Sequence, residues 1–170
     1  MNKPLVAIVM GSRSDWPVME HAAEMLSKFG ISFEVRIMSA HRTPKDAAAF
    51  AETAAEKGFK VIIAAAGGAA HLAGVLAGHS VLPVIGVPMK GWALDGMDSL
   101  LSTVQMPRGV PVATVAIGKA GAVNAALLAV QMLALSDGEL VGRFAAYKRE
   151  MAEAVRAADA GLQEELKAEE

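Results

Sequence analysis

Val61-Ile62-Ile63-Ala64-Ala65 is apolar at every position. A strand with one wet face alternates apolar and polar residues. One that is apolar throughout is covered on both faces, as in a parallel sheet packed between helices. Residues 112–117 read the same way apart from Thr114. Short β-branched runs at 5–10, 32–38 and 83–87 complete the set of strands. Helical patterns separate them. One spans 15–29, with Pro17 in its first turn and Gly30 after its end. The next spans 43–57: Thr43 is the expected N-cap, Pro44 the first residue, and Asp46 stands where a capping box has its acid. Gly58 closes that helix. Further helices are expected just after Gly67-Gly68, at 97–104, at 121–135 and at 138–164, with fraying from 164 to the end. Strands alternating with helices, joined by right-handed crossovers, predict an α/β fold. It is a three-layer αβα arrangement, a doubly wound parallel five-stranded sheet in the flavodoxin-like order 2-1-3-4-5.

A chain of 170 residues suits a single domain over 1–170, with a core at about 4–136 and a C-terminal helical extension at about 137–166. A net charge of −2 without a basic stripe argues against nucleic acid and anionic membrane surfaces as partners. The absence of cysteine excludes disulfides and thiolate chemistry and fits the cytoplasm. The apolar run at 4–10 meets Arg13 and Asp15 too soon for a signal peptide. The apolar stretch at 120–135 is broken by Asn124 and Gln131 and falls short of the ~20 residues of a membrane span. A soluble, cytoplasmic protein is expected. The helix at 121–135 is apolar almost all round, so it needs a second buried face. Oligomerisation supplies one; a central position beneath the last helix is the alternative.

In sheet order 2-1-3 the strand order reverses around strands one to three, and ligands bind at the carboxyl ends of strands at such a point. After strand one stands Gly11-Ser12-Arg13-Ser14-Asp15. Gly11 permits a tight turn, Ser12 and Ser14 offer hydroxyls, and the following helix start presents free N–H groups to a phosphate. The later glycines of a dinucleotide fingerprint are missing, so a single phosphate fits better than a pyrophosphate. Asp15 suits sugar hydroxyls, although Ser14 and Asp15 could merely cap the helix. After strand two stands Ser39-Ala40-His41-Arg42-Thr43-Pro44. Arg42 can grip a phosphate with two parallel bonds, Ser39 can donate to it, and an imidazole at His41 suits proton transfer. After strand three stands Ala66-Gly67-Gly68-Ala69-Ala70-His71-Leu72, whose glycines bring backbone amides close to a flat or anionic group. His71 is expected just inside the next helix. His21 and His79 have no motif around them, and metal-ligand spacing is absent, so no metal is expected.

Together these segments closely resemble the class I PurE family, the N5-carboxyaminoimidazole ribonucleotide mutases of purine synthesis. The motifs are 11–16, 39–44 and 66–72, the block from Asp98-Ser99 through Gln105-Met106-Pro107, and the segments 112–118 and 124–128. The resemblance runs from about Val6 to Leu135. It departs at Ala73, where the family commonly has proline, and at Ala65, where it has glycine. The resemblance implies an isomerase that moves carboxylate from the exocyclic nitrogen of a ribonucleotide to ring carbon C4, with no cofactor and no metal. Ser12, Ser39 and Arg42 would hold the phosphate and Asp15 the ribose, with Ser14 also in the substrate site. Gly67, Gly68, Ala69, Ala70, His71 and Leu72 would enclose the base, and His41 would be the general acid and base. It also implies a homo-oligomer, an octamer, with sites near subunit interfaces. The rival readings are an AIR carboxylase that uses free carbon dioxide and a non-catalytic flavodoxin-like module that binds a phosphorylated ligand. A receiver-type module would need an acidic residue at the end of strand three, which Ala64-Ala65-Ala66-Gly67 lacks.

Overall fold

The computed structural model describes residues 3–91 and 93–168. The chain divides into two compact units, Met1–Met132 and Leu133–Glu170. The first unit carries the sheet: β1 (Val6–Met10), β2 (Phe33–Ile37), β3 (Val61–Ala66), β4 (Val84–Pro88) and β5 (Ala113–Thr114). All pairings are parallel, in the order β2-β1-β3-β4-β5, so the doubly wound arrangement expected from the apolar runs is present. Val6 to Val9 and Ile62, Ile63 and Ala65 are shielded completely from solvent. This is the burial on both faces that their unbroken apolarity requires.

The crossovers are α1 (Trp16–Lys28), α2 (Pro44–Thr53), α3 (Leu72–His79) and α4 (Met97–Val104), and α5 (Lys119–Ala134) follows β5. Side chains alternate across the pleat. Ala7, Val9, Ile62, Ala64 and Val84 form one core with Ala47, Phe50 and Ala51 of α2 and Leu72, Ala73 and Leu76 of α3. Residues of α1 are absent from that core. Gly121 of α5 backs onto Val87, whose side chain points to the opposite face from Gly86. Gly86 shows how tightly the first face is packed, since a Cβ there would overlap Thr103 of α4 and Val112. The second unit contains the end of α5 and the helix α6 (Gly138–Ala168). Helix α6 is charged along most of its length and has one buried residue, Leu140.

Several expected boundaries are corrected. β5 is two residues long rather than spanning 112–117. It lies at the edge with a single partner, and Pro111 just before it has no N–H to give. The chain still follows β4 through Val115 N–H to Gly86 O and Gly118 N–H to Pro88 O. α2 ends at Thr53, and residues 54–58 close as turns onto Gly58 at φ +101°. Thr43 occupies the N-cap position of α2 as expected, but its side chain makes no capping bond; its Oγ1 accepts from Ser39 N–H instead. The capping box forms at Ser12–Asp15, around a single 3-10 turn (Arg13–Asp15). α6 continues through Ala168, so the fraying expected from 164 is absent up to that residue; residues 169 and 170 lie outside the described residues.

Candidate active site

Every strand of a parallel sheet ends on the same edge, so the segments after β1, β2, β3 and β4 converge. They enclose a cleft of about 590 Å³, within the roughly 300–1,000 Å³ usual for small-molecule sites. Ser12, Ser14, Asp15, Ser39, His41, Arg42, Gly67, Gly68, Ala69, His71 and Leu72 all line it. Ala70 does not. It is buried, and its N–H donates to Ser102 Oγ at 2.9 Å. That amide is spent on holding the loop in place and is not free for a ligand.

Two consecutive residues tie the three segments together. Arg42 reaches back to the first turn, where its Nη2 donates to Gly11 O at 2.7 Å. Its Nε lies 3.4 Å from Ser39 Oγ. His41 reaches the other way, and its Nε2 lies 2.9 Å from Nδ1 of His71, which occupies the N-cap position of α3 rather than its first turn. The Ser39 hydroxyl accepts from the backbone N–H groups of both His41 and Arg42, which fixes the turn that carries them.

The first turn is organised by its own side chains. Ser12 Oγ accepts from Ser14 N–H and from the Ser14 hydroxyl, at 3.3 and 2.9 Å. Asp15 Oδ2 accepts from Ser12 N–H at 3.2 Å. Partial burial pushes the Asp15 carboxyl above its ordinary value of 3.8. The Ser12 N–H and the charge of Arg42 pull the other way without reversing this. A half-buried carboxylate held against its own solvation, beside a guanidinium and three hydroxyls, suits recognition of a phosphorylated sugar.

Sequence reasoning missed the wall after β4. Met89, Lys90 and Gly91 line the cleft, and so does Val18 of α1. Lys90 pairs with Asp95 at 3.1 Å, with both side chains largely exposed. The available signal was topological: β4 lies next to β3, so whatever follows Pro88 must face the same opening. Helix α4 supports the site from behind. Ser99 Oγ donates to Met89 O at 2.6 Å, and Ser102 Oγ is within 3.2 Å of Gly68 O while it accepts from Ala70 N–H. His21 pairs with Glu24 and His79 with Glu52, and neither lines the cleft. Among the described residues, no group of three or more His, Asp or Glu could hold a metal ion.

With this geometry in view, the likeness to known proteins is informative. The AIR carboxylase family pattern matches residues 5–154. The chain belongs to that family. It is 59% identical over 150 residues to the N5-carboxyaminoimidazole ribonucleotide mutase of Brucella melitensis, covering 88% of this chain and 93% of the relative. The mutase of Bacillus subtilis is 60% identical over 138 residues, 81% of this chain and 85% of the relative. That of Mycobacterium tuberculosis is 56% identical over 161 residues, 95% and 91%. Among solved structures, Treponema denticola PurE superposes with a TM-score of 0.84 at 31% identity, covering 94% of this chain and 98% of the other. The resemblance drawn from the sequence motifs is therefore borne out, and so is the doubly wound fold read from the alternation of strands and helices.

Proposed function

We propose that this chain is an N5-carboxyaminoimidazole ribonucleotide mutase, an isomerase of purine biosynthesis. The observation that carries this reading is the opposed reach of Arg42 and His41. A phosphate-binding group and a proton carrier stand on consecutive residues and share one cleft. The relatives at 52–60% identity bear the mutase name, which favours it over the carboxylase reading. The convergence of His41 and His71 in the cleft disfavours a merely binding module.

The chemistry follows from the groups present. Ser12, Ser14, Ser39 and Arg42 hold the phosphate, and Asp15 accepts from the ribose hydroxyls. The loop Gly67–Leu72 encloses the base. His41 gives a proton to the carbamate nitrogen as its bond to the carboxylate carbon breaks, and carbon dioxide is released into the cleft. Ring carbon C4 then attacks that carbon dioxide, and His41 takes the proton that leaves C4. One proton is lent and returned, so the reaction balances without a co-reactant. Purified protein given the carbamate is expected to turn over rapidly, and given aminoimidazole ribonucleotide plus bicarbonate only slowly. Equal rates with both would overturn the mutase reading in favour of the carboxylase.

The carbon dioxide must not escape, yet His41, Arg42 and His71 are exposed in a single chain. Leu127, Leu128 and Met132 of α5 are only half-buried. Both observations support a homo-oligomer whose neighbouring copies close the cleft, and the family resemblance makes an octamer the expected assembly. Light scattering should return eight times the 17.6 kDa of one chain; a monomeric mass would exclude closure by a neighbour. A cytoplasmic location accords with this activity, and no described helix is long and apolar enough to cross a membrane.

A further inference from the structure

Arg13 is the only cation in the turn at 11–15, and it is the one residue of that turn that does not line the cleft. It borders a separate recess of about 400 Å³ with Met10, Trp16, Val35, Arg36 and Ile37. Arg13 and Ile37 also border a second recess of about 310 Å³, so the two spaces meet as one groove along β2. Each falls within the roughly 300–1,000 Å³ usual for small ligands. The fold accounts for this placement. Trp16 N–H donates to Arg13 O and closes a 3-10 turn, in which side chains three residues apart lie one over the other. β2 is an edge strand with β1 as its one partner, so its outer side is open. Ile37 is 51% exposed there, whereas β1, β3 and β4 are buried at nearly every position.

The groups that line this groove are uncommitted. Among the described residues, the Arg13 side chain has no hydrogen bond or ion pair, and no ring or cation stacks on the Trp16 indole. Arg36 pairs with Glu34 at 3.2 Å, with the two side chains 54% and 40% exposed. An exposed pair of this kind contributes little to stability, so an incoming anion can displace the carboxylate. No acidic residue lines either recess. Two guanidiniums, an indole face and a bare isoleucine match a flat ring that carries phosphate. A guanidinium grips phosphate through paired N–H groups, and a nucleobase stacks on an indole whatever its identity. The second recess extends the groove past Arg13 and gives room for a phosphate chain.

We propose that this groove is a second ligand site, outside the cleft, for a nucleoside phosphate: the base lies on Trp16 and Ile37, and the phosphates lie between Arg13 and Arg36. The test uses the full chain in its native assembly, with Trp92→Phe so that Trp16 is the remaining tryptophan. It is titrated with ADP, adenosine and inorganic phosphate. ADP should quench the Trp16 fluorescence with a dissociation constant of about 1 mM or tighter, and adenosine and phosphate should each bind more weakly. Arg13→Met and Arg36→Met should each weaken ADP by about tenfold. Neither residue lines the cleft, so kcat on the carbamate should stay within about twofold in both. Quenching by ADP that neither Met variant weakens would place the nucleotide elsewhere and overturn the proposal. Absence of quenching, or phosphate binding as tightly as ADP, would overturn it too. If wild type binds no ADP and Arg36→Met lowers the mass seen by light scattering, the groove is a contact between copies instead. The fluorescence reading needs no turnover, so a protein inactive on the carbamate would defeat the mutase reading and leave this result standing.

Discussion

His41→Asn removes turnover and leaves nucleotide binding in place. The cycle needs one group that is an acid when the carbamate nitrogen is protonated and a base when C4 loses its proton. An imidazole can be both near neutral pH; a carboxamide can be neither, although it is polar and of similar reach. Positioned acid–base groups contribute typically 10²–10⁴-fold, so kcat should fall by about that factor. The groups proposed to grip the phosphate and ribose are on other residues. The Arg42 guanidinium is held by Gly11 O, and the Ser39 hydroxyl by the turn backbone, neither of them through the His41 side chain. The dissociation constant of the product nucleotide, measured by calorimetry, should therefore stay within about threefold. Turnover near the wild-type rate would remove His41 from the mechanism. Loss of binding together with loss of turnover would mean that the imidazole holds the turn and is not the proton carrier.

The fold was legible because its signal is redundant. β3 is apolar at every position, β1 and β4 are short runs bounded by turn residues, and Pro17, Gly30, Pro44 and Gly58 punctuate the helices. Each of these points independently to alternating strands and helices. What failed was local competition. Ser12-x-x-Asp15 and Thr43-x-x-Asp46 carry the same capping pattern, but only the first forms the box. The second is lost because Ser39 N–H claims the Thr43 oxygen, a contact that depends on how the turn after β2 folds back. Ala70 failed for a related reason. A backbone amide in a glycine-rich loop is free for a ligand only if no side chain takes it first, and Ser102 lies 32 residues away in sequence. Lys90 was missed for want of a motif, since a lone lysine after a strand has no pattern to distinguish it. The site residues that were found share a different property: each sits within a few residues of a strand's carboxyl end, where topology alone sets the address.

Asp15→Asn should move stability and affinity in opposite directions. In the unfolded chain the carboxyl titrates at its ordinary 3.8, while burial raises it in the folded protein. Just above 3.8 the folded state then binds more protons than the unfolded one, so this group's contribution to stability falls as pH rises through that window. At neutral pH the full penalty of the buried charge is present. Asparagine removes it and keeps an oxygen that can accept from Ser12 N–H. The variant should melt no lower than wild type at pH 7, and its advantage should shrink as pH is brought below 3.8. Ribose recognition should suffer, because an ionised acceptor is replaced by a neutral one. A hydrogen bond to a charged group is worth about 1.5–3 kcal/mol, which corresponds to roughly 10- to 150-fold in affinity. Thermal denaturation across pH and titration with the product nucleotide read the two effects separately. A variant less stable at pH 7 with unchanged affinity would make Asp15 simply the cap of its turn. The Ser12 N–H bond and the charge of Arg42 offset only part of the cost of burying this carboxylate, so the remaining return is expected from what the carboxylate binds.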